Sequence, residues 1–409
     1  MSDPHGARSR ILFVDDEERV VSGLRRMLRG YRDRWDMTFL TSPEEALEVA
    51  LESAFDVVVA DMRMPGMTGA ELLERIRDRH AGTVRIILSG HSEVSSIMRS
   101  VGPSHQFLSK PCDGATLQAA VDRACFLRAH LAQPRLLEMV GGLEKLPSLP
   151  SVYSDLVRAI QEEASMAEIG QIISQDVAMT ATVLKLVNSS YFGVSREIVE
   201  PAKAALMLGV ETLQALVLGV KIFDQAAAGV VQDSELEELC ARSNCAAACA
   251  REICRIERAD DVLTAQTAIA AFLHDIGALI LTTQLPGYAE DVAARAGEAG
   301  MSEVDAEREV VGATHGDVGG YLTSLWGFPD PIVAAVTFHH RPLLAGDVDL
   351  TPLSIVHLAQ AVASAAVAGR EDAGDGLPEG LCCEYYARTG LSEKLPKWVE
   401  ACRKVQDRK

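Results

Sequence analysis

No apolar run in the chain approaches the ~20 residues needed to span a bilayer, and the N-terminus lacks a signal-peptide pattern. These absences speak against a membrane protein, and the expected location is the cytoplasm. Nine cysteines occur, but no Cys-x-x-Cys pair. Cys245 and Cys249 lie one helical turn apart in an alanine-rich run, which argues for reduced, packed thiols over a metal or redox motif. Positive charge is also short: 39 Lys and Arg against 58 Asp and Glu leave a net of -19. Nucleic-acid backbones demand a concentrated basic footprint, and no helix-turn-helix with a basic recognition helix is evident, so direct DNA binding is disfavoured. The one tight basic cluster early on, Arg25, Arg26, Arg29, Arg32 and Arg34, reads as a solvated helix face.

What the chain does have is length and apolar content. Its 409 residues exceed one ordinary domain, and 48% hydrophobic residues provide for a large core. Residues 10–131 alternate short apolar runs with amphipathic stretches at 20–28, 43–51, 70–76, 94–101 and 117–131. Such strand–helix alternation predicts an α/β doubly wound fold, a five-stranded parallel sheet with helices on both faces. Ser42 before Pro43 adds a helix start signal.

Chemistry gathers at the strand ends. The run Val57 to Ala60 delivers Asp61 and then a Pro-Gly turn, while Ile11 to Val14 delivers Asp15 and Asp16. Three carboxylates at one sheet edge repel, and a hard cation such as Mg2+ relieves that repulsion. Two further apolar runs end in Ser89 and in Ser109-Lys110. Binding sites in open parallel sheets lie at the carboxyl ends of strands, where a hydroxyl and an ammonium suit an incoming phosphoryl group.

Over about residues 8–131 this set resembles the receiver domain of two-component response regulators. The resemblance implies Asp61 as phosphoacceptor, Asp15 and Asp16 as the metal pair, Ser89 and Phe107 as switch residues, and Lys110 as the lysine of the Lys-Pro motif. It further implies Mg2+ held by Asp16, Asp61 and the backbone carbonyl of Arg63, with Asp15 acting through water, and a histidine kinase as phosphoryl donor. Phosphorylation would turn Ser89 toward an oxygen and move Phe107 inward.

After a partly helical linker at 132–146, closed by Leu146-Pro147 and Leu149-Pro150, the pattern becomes nearly all α. Helices are expected from 152–162 through 352–368, with 264–283 as one helix, a stop at Gly209, a loop at 371–380 and a last helix at 392–405. The residues there that could carry chemistry are His274, Asp275, His315, His339, His340 and His357, of which His357 reads as a core histidine. Imidazole with carboxylate suits divalent transition metals and metal-activated water.

Ala271-Phe272-Leu273-His274-Asp275-Ile276-Gly277 resembles the signature of the HD phosphohydrolase superfamily. Residues 184–192, residues 202–209, His315-Gly316-Asp317-Val318-Gly319 and Phe338-His339-His340-Arg341-Pro342 resemble its HDOD branch, HD-related output domains. On this resemblance 147–345 is an HDOD output domain and 346–409 a helical extension of it. Two outer ligands of an active HD site depart from the pattern: Arg242 stands for a histidine and Gln360 for an aspartate. His274, Asp275, His315, His339 and His340 therefore read as a degenerate HD-like site with no cofactor assigned.

The combined expectation is a response regulator phosphorylated on Asp61 that signals through a non-catalytic HDOD domain by protein–protein interaction. The alternative is a receiver-gated, metal-dependent phosphohydrolase acting on a cyclic dinucleotide or other nucleotide. The expected partners are a histidine kinase and an output protein the sequence does not name. A homodimer through the helix at 117–131 is compatible with its apolar face, which packing on its own sheet explains equally well.

Overall fold

The computed structural model describes residues 8–90, 104–131, 133–143, 146–188, 198–214, 216–217, 233–346, 349–367 and 377–406. The expected helix at 94–101 and the motif residues 189–192 lie outside these, as does most of the expected helix at 211–227. The chain divides into two compact units. The described residues up to 143, with 185–188 and 324–327, form the first, and the rest form the second.

In the first unit β1 (Ser9–Val14), β2 (Trp35–Leu40), β3 (Val57–Asp61), β4 (Val84–Ser89) and β5 (Gln106–Ser109) build one parallel sheet in the order β2-β1-β3-β4-β5. The apolar runs fill its middle: every residue of β3 and β4 is buried. Helices α1 (Glu18–Met27), α2 (Pro43–Glu52), α3 (Gly69–Arg79) and α4 (Gly114–His130) flank it. Ser42 caps α2 by accepting from the Glu45 amide at 3.1 Å, with Pro43 in the first turn as its sequence signals. Strand β2 was not located from sequence, because it is an edge strand in which only Trp35 is buried. The basic cluster is not one helix face. α1 ends at Met27, Arg29 sits in a 3-10 turn, Arg25 lies 5.3 Å over the Phe39 ring and Arg34 pairs with Asp122.

A further helix, α5 (Pro134–Gly141), starts at Pro134 and docks on the end of the sheet opposite the strand carboxyl termini. Its last carbonyl, Gly141 O, lacks an intrahelical partner. It accepts from Arg85 Nη2 at 2.6 Å, and His105 Nε2 lies 3.0 Å away. Arg85 is fully buried and also donates to the carbonyls of Ala81 and Thr83, both at 3.0 Å. Its own amide donates to His105 Nδ1 at 3.0 Å. The first residues of β4 and the residue before β5 thus clasp the helix that leads out of this unit.

The second unit is helical: α6 (Pro150–Gln161), α7 (Met166–Ile173), α8 (Val177–Val187), α9 (Pro201–Gln214), α10 (Asp233–Glu257), α11 (Asp261–Leu273), α12 (Ile276–Gln284), α13 (Tyr288–Ala299), α14 (Glu303–Val310), α15 (His315–Leu325), α16 (Asp330–Phe338), α17 (Pro352–Val367), α18 (Cys383–Arg388) and α19 (Leu395–Gln406). α17 is buried from Pro352 to Ala363 and forms the centre, packed by α10, α11 and α16. Gly209 interrupts α9 at φ 74°, the stop expected there. The short α18 went unrecognised in the sequence.

One expectation fails usefully. The apolar stretch read as a single helix over 264–283 breaks at its His-Asp pair, where Asp275 takes φ -95° and ψ 12° between α11 and α12. Counted as one, 261–284 is also long and apolar enough to cross a membrane by length and composition, contrary to the sequence reading, although 67% of its most apolar window is buried within the protein.

Candidate functional site

The carboxyl edge of the sheet gathers the predicted side chains. Asp61 ends β3, Asp15 follows β1 and is 1% exposed, and Asp16 beside it faces solvent. Lys110, just past β5, reaches both acids: its Nζ donates to Asp15 Oδ2 at 2.5 Å and pairs with Asp61 Oδ1. Asp61 Oδ2 accepts from the Arg63 amide at 2.7 Å, and Asp15 Oδ1 from the Glu17 amide at 3.0 Å. Burial raises the Asp61 carboxyl above its usual range, against the pull of Lys110. Burial alone would lower Lys110, but its hydrogen bonds to Asp15 and Asp61 raise it, so it carries its charge.

Ser89 Oγ donates to the Gly90 carbonyl at 3.1 Å. Phe107 is 7% exposed and packs in the core with Met62, Met64 and Ile87.

In the helical unit the break at Asp275 turns its carboxylate to two sides. Oδ2 accepts from Arg242 Nε of α10 at 2.6 Å and lies 3.3 Å from His274 Nε2. Oδ1 faces His315 Nε2 at 3.5 Å and His339 Nε2 at 3.8 Å. The two Nε2 atoms stand 3.1 Å apart, and the His340 ring packs on both. The opposite ring nitrogens are pinned: Nδ1 of His274 to Ala271 O, of His339 to Val336 O and of His315 to Glu307 Oε1, each at 2.7 Å. Burial would raise Asp275, but His274, Arg242 and His315 hold it well below the usual carboxylate range. Burial pulls His315 down, yet Glu307 and Asp275 outweigh it and lift it to about 9. Burial and neighbouring imidazoles hold His339 and His340 well below the ordinary histidine value.

Sequence reasoning missed Glu307, which is 1% exposed and also accepts from the buried Tyr288 hydroxyl. In the acidic stretch of α14 it looks like any solvated glutamate. His357 is the satisfied core histidine expected, giving Nδ1–H to His339 O at 2.6 Å and accepting from the Cys382 amide at 2.9 Å. Arg242 and Gln360 stand beside Asp275, His315 and His340 around a cavity of about 1100 Å³.

Comparison with known proteins settles the family. Residues 11–122 match the response regulator receiver domain and residues 146–342 the HDOD domain. The chain is a response regulator with a receiver and an HDOD domain. The receiver is the α/β unit, and the HDOD match covers α6 to α16 and the turn that follows. Among relatives, an uncharacterized protein of Treponema pallidum is 28% identical over 49% of this chain and 38% of its own length. The hydrogenase transcriptional regulatory protein HoxA of Cupriavidus necator is 35% identical over 25% of this chain and 21% of its own length. The chain thus spans well under half the length of these curated relatives. Among solved structures, the MmoQ response regulator of Methylococcus capsulatus aligns with 64% of this chain and 97% of its own, at 20% identity and a TM-score of 0.47. Residues 349–406, beyond the HDOD match, belong to the same helical unit.

Proposed function

We propose that a histidine kinase phosphorylates Asp61 and that the receiver, about residues 8–131, passes the signal through the linker at 132–146 to an HDOD output domain at 147–345, extended by 346–409. The output acts by binding a protein partner, in the cytoplasm, without catalysing a reaction of its own. The observation that carries this reading is the Lys110 ammonium seated on Asp15 and Asp61 at the carboxyl edge of the sheet. A carboxylate oxygen of Asp61 would attack the phosphorus of a phosphohistidine, the P–N bond breaking and the imidazole leaving. Lys110 is placed to pair the charge so formed, and Ser89 to rotate from Gly90 toward it. The donors at this edge are all oxygens, which fits Mg2+ on Asp15, Asp16, Asp61 and the Arg63 carbonyl. When bound it neutralises phosphoryl oxygens.

Beryllofluoride with Mg2+ imitates the phosphoryl group, so hydrogen exchange with and without it tests transmission. Amides within 146–342 should change protection in the wild type and stay unchanged in Asp61→Asn. Unchanged exchange across those residues in the wild type would separate the receiver from its output.

The hydrolase reading draws support from the convergence of Asp275 with three imidazoles. The cavity beside them works against a nucleotide substrate. Glu235, Glu238, Asp275, Glu303, Glu307 and Glu379 line it, against Arg242 and His315, so its walls repel phosphates. Turnover of a cyclic dinucleotide by the metal-loaded protein would reverse this preference.

A further inference from the structure

We propose that the cavity of the HDOD domain binds a small aliphatic polyamine, an alkyl chain carrying two or more ammonium groups. Its volume of about 1100 Å³ admits a whole organic molecule. The charge on its walls is unbalanced. Among the described residues that line it, Arg242 and His315 are the bases that carry charge, and both are engaged: Arg242 with Asp275 at 2.6 Å, His315 with Glu307 at 2.7 Å. The third base, His340, is held well below the ordinary histidine value by burial and by His315. Among the described residues Glu235 and Glu303 have no ion pair, and Glu238 stands 4.0 Å from Arg242. The surplus on the walls is therefore negative, and it calls for a cationic ligand.

Two further features select an organic ammonium over a hydrated metal ion. The first is the apolar wall between the acids. Glu235, Glu238, Leu239 and Arg242 lie three or four residues apart on α10 and share one face, so an aliphatic side chain sits among the charges. Val292 of α13 and Ala361 and Ala365 of α17 add apolar surface. An alkyl chain gains by leaving water for such a wall, and a hydrated ion does not. The second feature is Gln360 of α17, which lines the cavity and is only 4% exposed. Its Nε2 donates to the His357 carbonyl at 3.3 Å, while no described donor reaches its Oε1. Buried polar atoms are nearly always bonded, and an ammonium N–H is the donor that would satisfy this oxygen on an acidic wall. The acids of α10 and of α14 stand on different helices, so two ammonium groups on one chain would bridge them.

Binding requires neither a phosphoryl group on Asp61 nor hydrolysis, so it can succeed or fail apart from both. Spermidine serves as the probe. Isothermal calorimetry of the full, unphosphorylated chain at physiological ionic strength should show one saturable site. Glu235→Gln and Glu303→Gln should each weaken it about tenfold, the worth of one charge-assisted hydrogen bond, and Gln360→Leu about fivefold. Ala365→Phe fills the cavity without altering its charge and should abolish binding, which separates the cavity from the acidic surface of the chain. Circular dichroism checks that each variant folds. No saturable heat in the wild type overturns the proposal whatever the variants do. Binding retained in folded Ala365→Phe, or unaltered in both glutamate variants, overturns the assignment to this cavity. Displacement of spermidine by equimolar Mg2+ overturns the organic class of the ligand.

Discussion

Gly277→Ala should lower the stability of the helical unit by at least about 3 kcal/mol, toward the upper end of what overpacking costs. An alanine Cβ there would fall 1.9 Å from the His315 carbonyl oxygen and 2.6 Å from the Gly319 amide nitrogen. Both are backbone atoms, so no rotamer change relieves the clash, and the first turn of α12 must move away from the first turn of α15. Asp275 directly precedes the first of these turns and His315 opens the second, so their separation sets the geometry of the histidine cluster. At roughly 2–4 °C per kcal/mol for a unit of this size, the midpoint of thermal unfolding should fall by about 6–12 °C. Gly297→Ala in α13 is the contrast, because nothing lies within 4 Å of the Cβ it would add. That change should leave stability unaltered or raise it by up to about 1 kcal/mol. Equal midpoints for the two variants would contradict the close packing of α12 on α15.

Arg85→Met should cost roughly 3 kcal/mol, because it removes the guanidinium that donates to the carbonyls of Ala81 and Thr83 and leaves the Gly141 carbonyl to His105 Nε2. The loss should concentrate in α5, so amide exchange over 134–141 should quicken well beyond that of the sheet. His105 gives the clasp a pH dependence. Burial, and then the charges of Arg85 and Lys185, push its imidazole well below the ordinary value of 6.5. A folded-state value below the unfolded one means that its contribution is complete above about 6.5 and is lost as pH falls below it, where the unfolded chain takes up the proton first. His105→Gln should flatten that acid limb. Exchange over 134–141 that is indifferent to Arg85→Met would mean that α5 is held by its apolar face alone.

The receiver site was legible because Asp15, Asp61, Ser89 and Lys110 each end or directly follow an apolar strand, so a pattern of period and punctuation points at them without knowledge of packing. The edge strand β2 escaped because one buried residue, Trp35, gives little pattern to read. The helical site was harder. The apolar period runs on from Ala271 through Leu281, so nothing in the sequence announced the break that frees Asp275. Glu307 was hidden for a related reason: an acid on an amphipathic helix reads as solvated until Tyr288 and His315 are seen to close over it. Arg242 was read as a departure from the HD pattern, and the structure adds that its guanidinium engages Asp275 directly.

Asp61 is the residue through which the proposed signal enters the chain. The most direct measurement is intact-mass and peptide-level spectrometry of the full chain after incubation with acetyl phosphate and Mg2+. The account predicts one added phosphoryl group, about 80 Da, mapped to the peptide carrying Asp61, labile to hydroxylamine as an acyl phosphate is, and absent from Asp61→Asn. A wild type that takes up no phosphoryl group, or an Asp61→Asn protein labelled to the same extent, would contradict it.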